Sequence, residues 1–276
     1  MKQVHFMDKQ LKFKNGKFKI MVLGDIHERL IIDNKEDELK QRDAHKLFEM
    51  GVKAFQPDLV VLLGDTCSEY QECEDYTLLH KQALERILKP ILDANIPMCY
   101  VLGNHEHDAG KEKEIVKAYK QIDAFIGEND ESAPGDFNCN ILVKDSKGEE
   151  DILNLWFIDS NNLSDSDVSK YDWVHKDQIQ WYEEKAAKIK EEHGGKTIPA
   201  ILFQHTPVIE EYKLLREAKP YEIPFAAKGH YKFSDKYYMK KDGVEGYLGE
   251  GPCSPCINEG QFESWKKTGD VVAAFF

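Results

Sequence analysis

The sequence predicts an α/β fold in which strands and helices alternate and a second sheet packs on the first. Three observations predict it. Short apolar, β-branched runs recur and end in Gly, Asp, Asn or His. Charged segments with helical spacing lie between them, the signature of βαβ units. Once, near the middle, the pattern changes to two strand-like runs around a turn.

Taken in order, KFKIMVLGD (17–25) is too short for an independent helix and suits a strand buried on both faces. Residues 35–55 carry Leu39, Leu47, Met50 and Phe55 at helical spacing. A second strand, DLVVLLGD (58–65), precedes a helix over 77–94 marked by Leu78, Leu79, Leu84, Ile87, Leu88 and Leu92. PMCYVLGN (97–104) is the third strand, followed by a helix over 111–125. NCNILVKDSKGEEDILNLWFIDS, between 138 and 160, forms two runs around an Asp145–Gly148 turn, a hairpin assigned to the second sheet. A helix over 175–192, the strand PAILFQH (199–205) and a helix over 208–218 come next. Residues 219–257 are irregular, rich in Tyr, Lys and Gly, and long for a loop, as lids and binding excursions are. VVAAFF (271–276) reads as a last buried strand. No repeat or linker divides the chain, so residues 1–276 are expected to form a single domain.

Composition narrows the function classes. The chain has 276 residues with 37 Lys+Arg against 50 Asp+Glu, a formal charge of −13, and 41% hydrophobic residues, enough for a core. That charge disfavours general nucleic-acid binding and docking on anionic membranes. No run approaches the roughly 20 apolar residues of a membrane span. The polar, basic start lacks a secretory apolar run, and six dispersed cysteines are no disulfide scaffold, so a cytoplasmic, reduced protein is expected.

The polar residues carry the chemistry. Four strand-like runs end in metal-ligating types: Asp25 and His27 in GDIH, Asp65 in GDT, Asn104 and His105 in GNHE, and His205 in FQHTP. In open α/β sheets ligands bind beyond the carboxyl ends of the strands, so successive strands bring these side chains to one edge. Carboxylate and amide oxygens mixed with imidazoles suit Mn, Fe or Zn. A carboxylate such as Asp65 can bridge two metals roughly 3.5–4 Å apart and so serve a phosphoryl displacement. Taken singly, each has a plainer reading: a Gly-Asp is often a turn or cap, Asn104 a turn residue, and His205 a satisfied structural histidine. The ordered set favours a metal centre.

In this order the motifs resemble the calcineurin-like metallophosphoesterase superfamily, whose pattern runs D-x-H, G-D, G-N-H-[DE], a lone His, then G-H-x-H. FIDSN (157–161), DQIQWYEE (177–184) and FQHTP (203–207) resemble its purple-acid-phosphatase-related intracellular branch. The resemblance implies a four-layer αββα sandwich of two mixed sheets flanked by helices. It implies two metal ions, one on Asp25, His27 and Asp65 and the other on Asp65, Asn104 and His205. His105 is implied as the group that protonates the leaving alkoxide of a phosphate ester. The purple enzymes carry D-x-G where this chain has His27, and their G-D-x-x-Y tyrosine falls on Ser68, so no Fe(III) charge-transfer colour is expected. G-H-x-H would follow GDVVAAFF, but the chain stops at Phe276. The resemblance therefore implies that the C-terminal strands and one imidazole per metal are missing, with metal loading impaired and a non-catalytic binding module as the alternative. His107 has no counterpart in the pattern, and His230 lies in the long loop.

Other features carry less. Cys253-Ser-Pro-Cys256 has C-x-x-C spacing without a second pair or a thioredoxin-like flank, so neither zinc nor redox chemistry is assigned to it. Lys228, His230, Lys232, Lys236, Lys240 and Lys241 either hold a substrate's distal phosphate or are simply solvated. Tyr231, Tyr237 and Tyr238 either stack on a base or pack the loop. Substrate identity and oligomeric state are not legible.

Overall fold

The computed structural model describes residues 10–68 and 70–276; Glu69 and residues 1–9, the first part of the polar, basic start, lie outside the described residues. Strand β1 (Ile20–Leu23) is followed by the short β2 (Glu28–Arg29) and helix α1 (Lys35–Phe55). Asn34 caps α1 by accepting the Asp37 N–H at 3.0 Å. Then come β3 (Leu59–Leu63), the short β4 (Cys67–Ser68), α2 (Tyr76–Ile87) and α3 (Lys89–Asp93). The segment expected as one helix over 77–94 is thus two, because Pro90 in the first turn of α3 cannot extend α2. β5 (Met98–Val101), the one-turn α4 (Asn104–His107) and α5 (Glu112–Lys120) complete the first half. β1, β3 and β5 form a sheet in the order β1-β3-β5, parallel throughout.

The hairpin forms as the pattern predicts: β6 (Cys139–Lys144) pairs antiparallel with β7 (Asp151–Phe157). After α6 (Lys176–Glu192) and β8 (Ala200–Phe203), residues 209–214 form a 3-10 helix that runs straight into β9 (Leu215–Glu217). The helix expected over 208–218 is therefore only its first half. β10 (Ala227–Lys228) and β11 (Tyr237–Lys240) join β9 in an antiparallel sheet, order β10-β11-β9, so the long segment expected to be irregular has its own scaffold. α7 (Gln261–Thr268) and β12 (Val271–Phe275) follow, and the second main sheet runs β12-β8-β7-β6 with only β6 antiparallel.

Period-2 alternation divides the core into two. Leu155 and Phe157 of β7, with Phe203 of β8, join the cluster holding β3, β5 and residues of α1, α2, α3 and α5. Trp156 of β7 and Ala200 and Leu202 of β8 face the other way, packing with Ile179, Trp181, Tyr182 and Ile189 of α6 and Trp265 of α7. Helix, sheet, sheet and helix layers result, the sandwich the resemblance implies. No helix among the described residues is long and apolar enough to cross a membrane.

Three burial expectations change. β1 is only half-buried because it is the edge of its sheet, whereas β3 is buried throughout. β12 is mostly exposed for the same reason, with Val272 69% accessible. In α1 the boundaries hold but the face does not: Leu39, Leu47, Met50 and Phe55 are all exposed, and Phe48, Ala44 and Val52 turn inward.

Candidate metal centre

The donors sit where a parallel ladder is interrupted. β1 pairs with β3, the two chains splay over residues 24–27 and 64–66, and β2 then pairs with β4 in the same parallel sense. Asp25 N–H to Gly64 O (3.2 Å), His27 N–H to Asp65 O (2.9 Å) and Glu28 N–H to Thr66 O (2.9 Å) stitch the gap. Asp25, His27 and Asp65 all adopt left-handed backbone, φ 52°, 52° and 49°. Non-glycine residues reach that region at a cost of about 1–2 kcal/mol each, and such strain clusters at functional sites.

Asp65 is the hub. Its buried carboxylate accepts the His105 N–H through Oδ1 at 2.9 Å. Its Oδ2 stands 3.5 Å from His205 Nε2 and 3.9 Å from Nε2 of both His27 and His105. His27 Nε2 is also 3.8 Å from Asp25 Oδ1. Two ligands on a common ion, with bonds of about 2.0–2.2 Å, lie roughly 3–4 Å apart, so these are ligand spacings. The donors fall into two compact groups that share Asp65: Asp25, Asp65 and His205, and His27, Asp65 and His105. Asp65 is common to both groups; His205 stands with Asp25 in one and His27 with His105 in the other, while His27 is also near Asp25. Asn104, the first residue of α4, lines the same cavity, which has a volume of about 630 Å³. All six predicted residues therefore converge.

Close packing makes this possible. A Cβ on Gly64 would lie 2.6 Å from His205 Nδ1, and one on Gly103 2.2 Å from Asp65 Oδ1, so both motif positions admit only glycine. His205 Nδ1 pairs with the Leu63 carbonyl at 2.9 Å, which turns Nε2 toward Asp65. Burial pulls the His205 pKa down, but the hydrogen bond and charge of Asp65 outweigh it and hold it at about 9. Burial raises the Asp65 carboxyl, and His205 and His105 bring it below its ordinary value.

Several functional residues were not singled out from sequence. Glu106, fully buried, accepts N–H bonds from Asp65 (2.8 Å), Thr66 (2.7 Å), Cys67 (3.1 Å) and Gly103 (2.8 Å), tying the two donor loops together. The E of GNHE was the available signal. Asp108 Oδ2 lies 2.6 Å from His105 Nδ1 and fixes that ring. His107 points away from the cavity: its Nε2 is 3.3 Å from Asp159 Oδ1 and its Nδ1 3.3 Å from Glu112. Burial lowers its pKa, and these two carboxylates more than reverse that, to about 10. FIDSN and FQHTP are braces, with Ser160 Oγ accepting the Thr206 N–H at 3.0 Å, and Gln178 of DQIQWYEE donating to the Asp159 carbonyl at 2.9 Å.

The cavity wall holds Asp25, Asp65, Glu211 and Glu250, and no Lys or Arg among the described residues. Of the lysines that either hold a distal phosphate or are solvated, four are engaged within the 219–257 segment or beside it. Lys232 Nζ donates to Cys256 O (3.1 Å), Lys236 pairs with Glu217, Lys240 with the Gly246 carbonyl, and Lys241 Nζ with Lys213 O (2.7 Å). Tyr231 packs edge-on against Tyr171 and Tyr238 against Tyr212, so these rings pack the segment.

The family model described as calcineurin-like phosphoesterase matches residues 18–267. Two curated Arabidopsis thaliana proteins are similar over almost the whole chain. One, named probable inactive purple acid phosphatase 14, is 24% identical over 98% of this chain and 67% of its own length. The other, named probable inactive purple acid phosphatase 28, is 20% identical over 96% and 66%. The chain thus spans about two thirds of the length of these relatives. A solved dimetal phosphatase from Danio rerio aligns at 12% identity over 69% of this chain and 70% of its own, with a TM-score of 0.45.

Proposed function

This chain belongs to the calcineurin-like phosphoesterase family, and from that premise we propose that it is a metal-dependent hydrolase of phosphoric esters, acting on monoesters or diesters through two metal ions. One observation carries the reading: a buried Asp65 carboxylate faces three imidazole nitrogens in a cavity whose described walls lack Lys and Arg. A phosphate dianion entering among four carboxylates needs more positive charge than the single imidazolium of His205 supplies. Bound there, two divalent ions (Mn, Fe or Zn, from the donor chemistry) acidify the attacking water and neutralise phosphate oxygens.

The protein's part is to hold and to protonate. Asp65, Asp25, His27, Asn104 and His205 would hold the two ions, with Asp65 common to both donor groups. His105, oriented by Asp108, gives its Nε2 proton to the leaving alkoxide. His27 and His105 also line a neighbouring cavity of about 620 Å³ with Arg29, Lys40 and Gln41, which suits the leaving group. The charge of −13 argues against nucleic acid as that group, and six free thiols favour a cytoplasmic setting.

A second reading, a metal-binding module without turnover, is favoured by the names of the two plant relatives. Hydrolysis of glycerol phosphate, whose alkoxide must be protonated to leave, with added Mn²⁺, wild type against His105→Ala, separates the two. The hydrolase reading expects a rate loss of about 10²–10⁴-fold, the usual worth of a general acid. Equal background rates overturn it in favour of the module.

A further inference from the structure

Beyond the Asp65 centre, one more set of mixed donors stands at the edge of the same cavity, with Glu250 and Cys253 in its wall. His230, Glu250 and Cys253 each offer an atom within 4.8 Å of the others, and His230 Nε2 is 3.5 Å from Glu250 Oε2. We propose that these three residues form a separate mononuclear site for a borderline-soft divalent cation, Zn²⁺ by preference, on the rim of the catalytic cavity. Tetrahedral zinc with bonds of about 2.0–2.3 Å sets its ligands roughly 3.3–3.6 Å apart. One nitrogen, one oxygen and one sulfur are the zinc donor types, and three protein ligands leave one position open.

The backbone pre-arranges the donors. The Tyr212 hydroxyl accepts the His230 N–H at 3.1 Å and donates to the Pro252 carbonyl at 3.0 Å, holding the residue before Cys253 to His230 itself. Gly251 N–H bonds to Lys228 O at 3.1 Å, and a Cβ on Gly251 would come within 2.7 Å of that oxygen. Residues 228–230 and 250–253 therefore run in direct contact, so the cation would clasp β10 to the returning chain. Glu250 and Cys253 also line the cavity with Asp25 and His205. Cys256 belongs to no such cluster among the described residues. Its N–H donates to Ser169 Oγ at 2.9 Å, and its carbonyl accepts from Lys232. The C-x-x-C spacing therefore contributes one ligand rather than a pair. Binding exchanges the S–H bond of Cys253 for a sulfur–metal bond and releases the proton to solvent.

Cobalt(II) substitution of the full chain tests the assignment. Thiolate ligation gives an intense near-ultraviolet charge-transfer band that the nitrogen and oxygen donors around Asp65 do not produce. The expected result is a band that disappears in Cys253→Ser and His230→Ala, with loss of one bound equivalent, and survives in Cys256→Ser and Asp65→Asn. Far-ultraviolet circular dichroism of each variant confirms that it is folded. No band at saturating cobalt, or a band that survives Cys253→Ser, overturns the proposal. So does a band lost in Asp65→Asn, which would assign the sulfur signal to the catalytic centre while leaving the hydrolase reading intact.

Discussion

Replacing Glu106 by Gln tests whether one buried anion holds the catalytic loops. In the native protein Oε1 accepts from Thr66 and Cys67, and Oε2 from Asp65 and Gly103. Burial and the charge of Asp65 push the Glu106 carboxyl up, while the Gly103 and Cys67 N–H groups pull it back, so its ionised form depends on those donors. A glutamine has the same shape but keeps only one acceptor oxygen. Whichever way it turns, its NH₂ faces two of the four N–H groups, donor against donor. Hydrogen bonds to charged groups are worth about 1.5–3 kcal/mol each, so losing two costs about 3–6 kcal/mol. Against a whole-domain stability of roughly 5–15 kcal/mol that is a large share. Urea unfolding without metal should show a midpoint well below wild type. Mn²⁺ titration of the folded variant should show binding weakened by about 10–100-fold, the usual effect of losing an orienting partner. An unchanged midpoint together with unchanged Mn²⁺ affinity would refute the role given to Glu106.

Two further outcomes follow from side chains outside the donor set. His80 is buried between Tyr76 and Tyr119 with both ring nitrogens unpartnered, and burial holds its pKa at about 4 against an ordinary 6.5. The unfolded imidazole takes up a proton that the folded one refuses. Its contribution is therefore complete above pH 6.5 and lost as pH falls toward 4, by about 3 kcal/mol. His80→Phe should flatten that limb relative to wild type in urea unfolding across this range, and equal slopes would contradict it. Asp108→Asn removes the charge partner of His105 Nδ1. It should lower kcat by about 10–100-fold while Mn²⁺ stoichiometry stays the same, and an unaltered kcat would show that the ring needs no such support.

Much of this was legible in the sequence for a local reason. A strand's end is marked by the residue that stops it, and here the stopping residues are candidate donors, so Asp25, Asp65, Asn104 and His205 marked both the strands and the candidate site. What escaped depends on relations between segments. α1 carries apolar residues on more than one face, and only its packing into the core cluster, against α2 and α3 among others, decides that Phe48 rather than Leu47 turns inward. Glu106 reads as the last letter of a motif until its four N–H partners, three of them from another loop, are seen. The 219–257 segment looked irregular because its strands are two to four residues long and pair across 3-10 turns, below the span at which alternation registers. His230 and Cys253 stand 23 positions apart in the numbering, and the close passage of Gly251 over Lys228 that joins them leaves no periodic trace.

The energetics of the donor loops bear on whether the centre works. Three non-glycine residues in left-handed backbone at one site cost about 3–6 kcal/mol together, comparable with what half of the Glu106 bonds supply. The fold thus holds Asp25, His27 and Asp65 in a conformation that the ladder itself opposes, since β1–β3 and β2–β4 pair in the same parallel sense on either side of the break. A chain needing only to bury a core would close that gap with regular strand. It would also have no use for a carboxylate buried beside another carboxylate, as Glu106 is beside Asp65. Both costs are recovered when cations occupy the cavity, because the charge of Asp65 is then neutralised and the left-handed turns become the geometry that aims the donors. Left-handed loops and paired carboxylates whose cost bound cations would offset are what a cation site in this cavity requires.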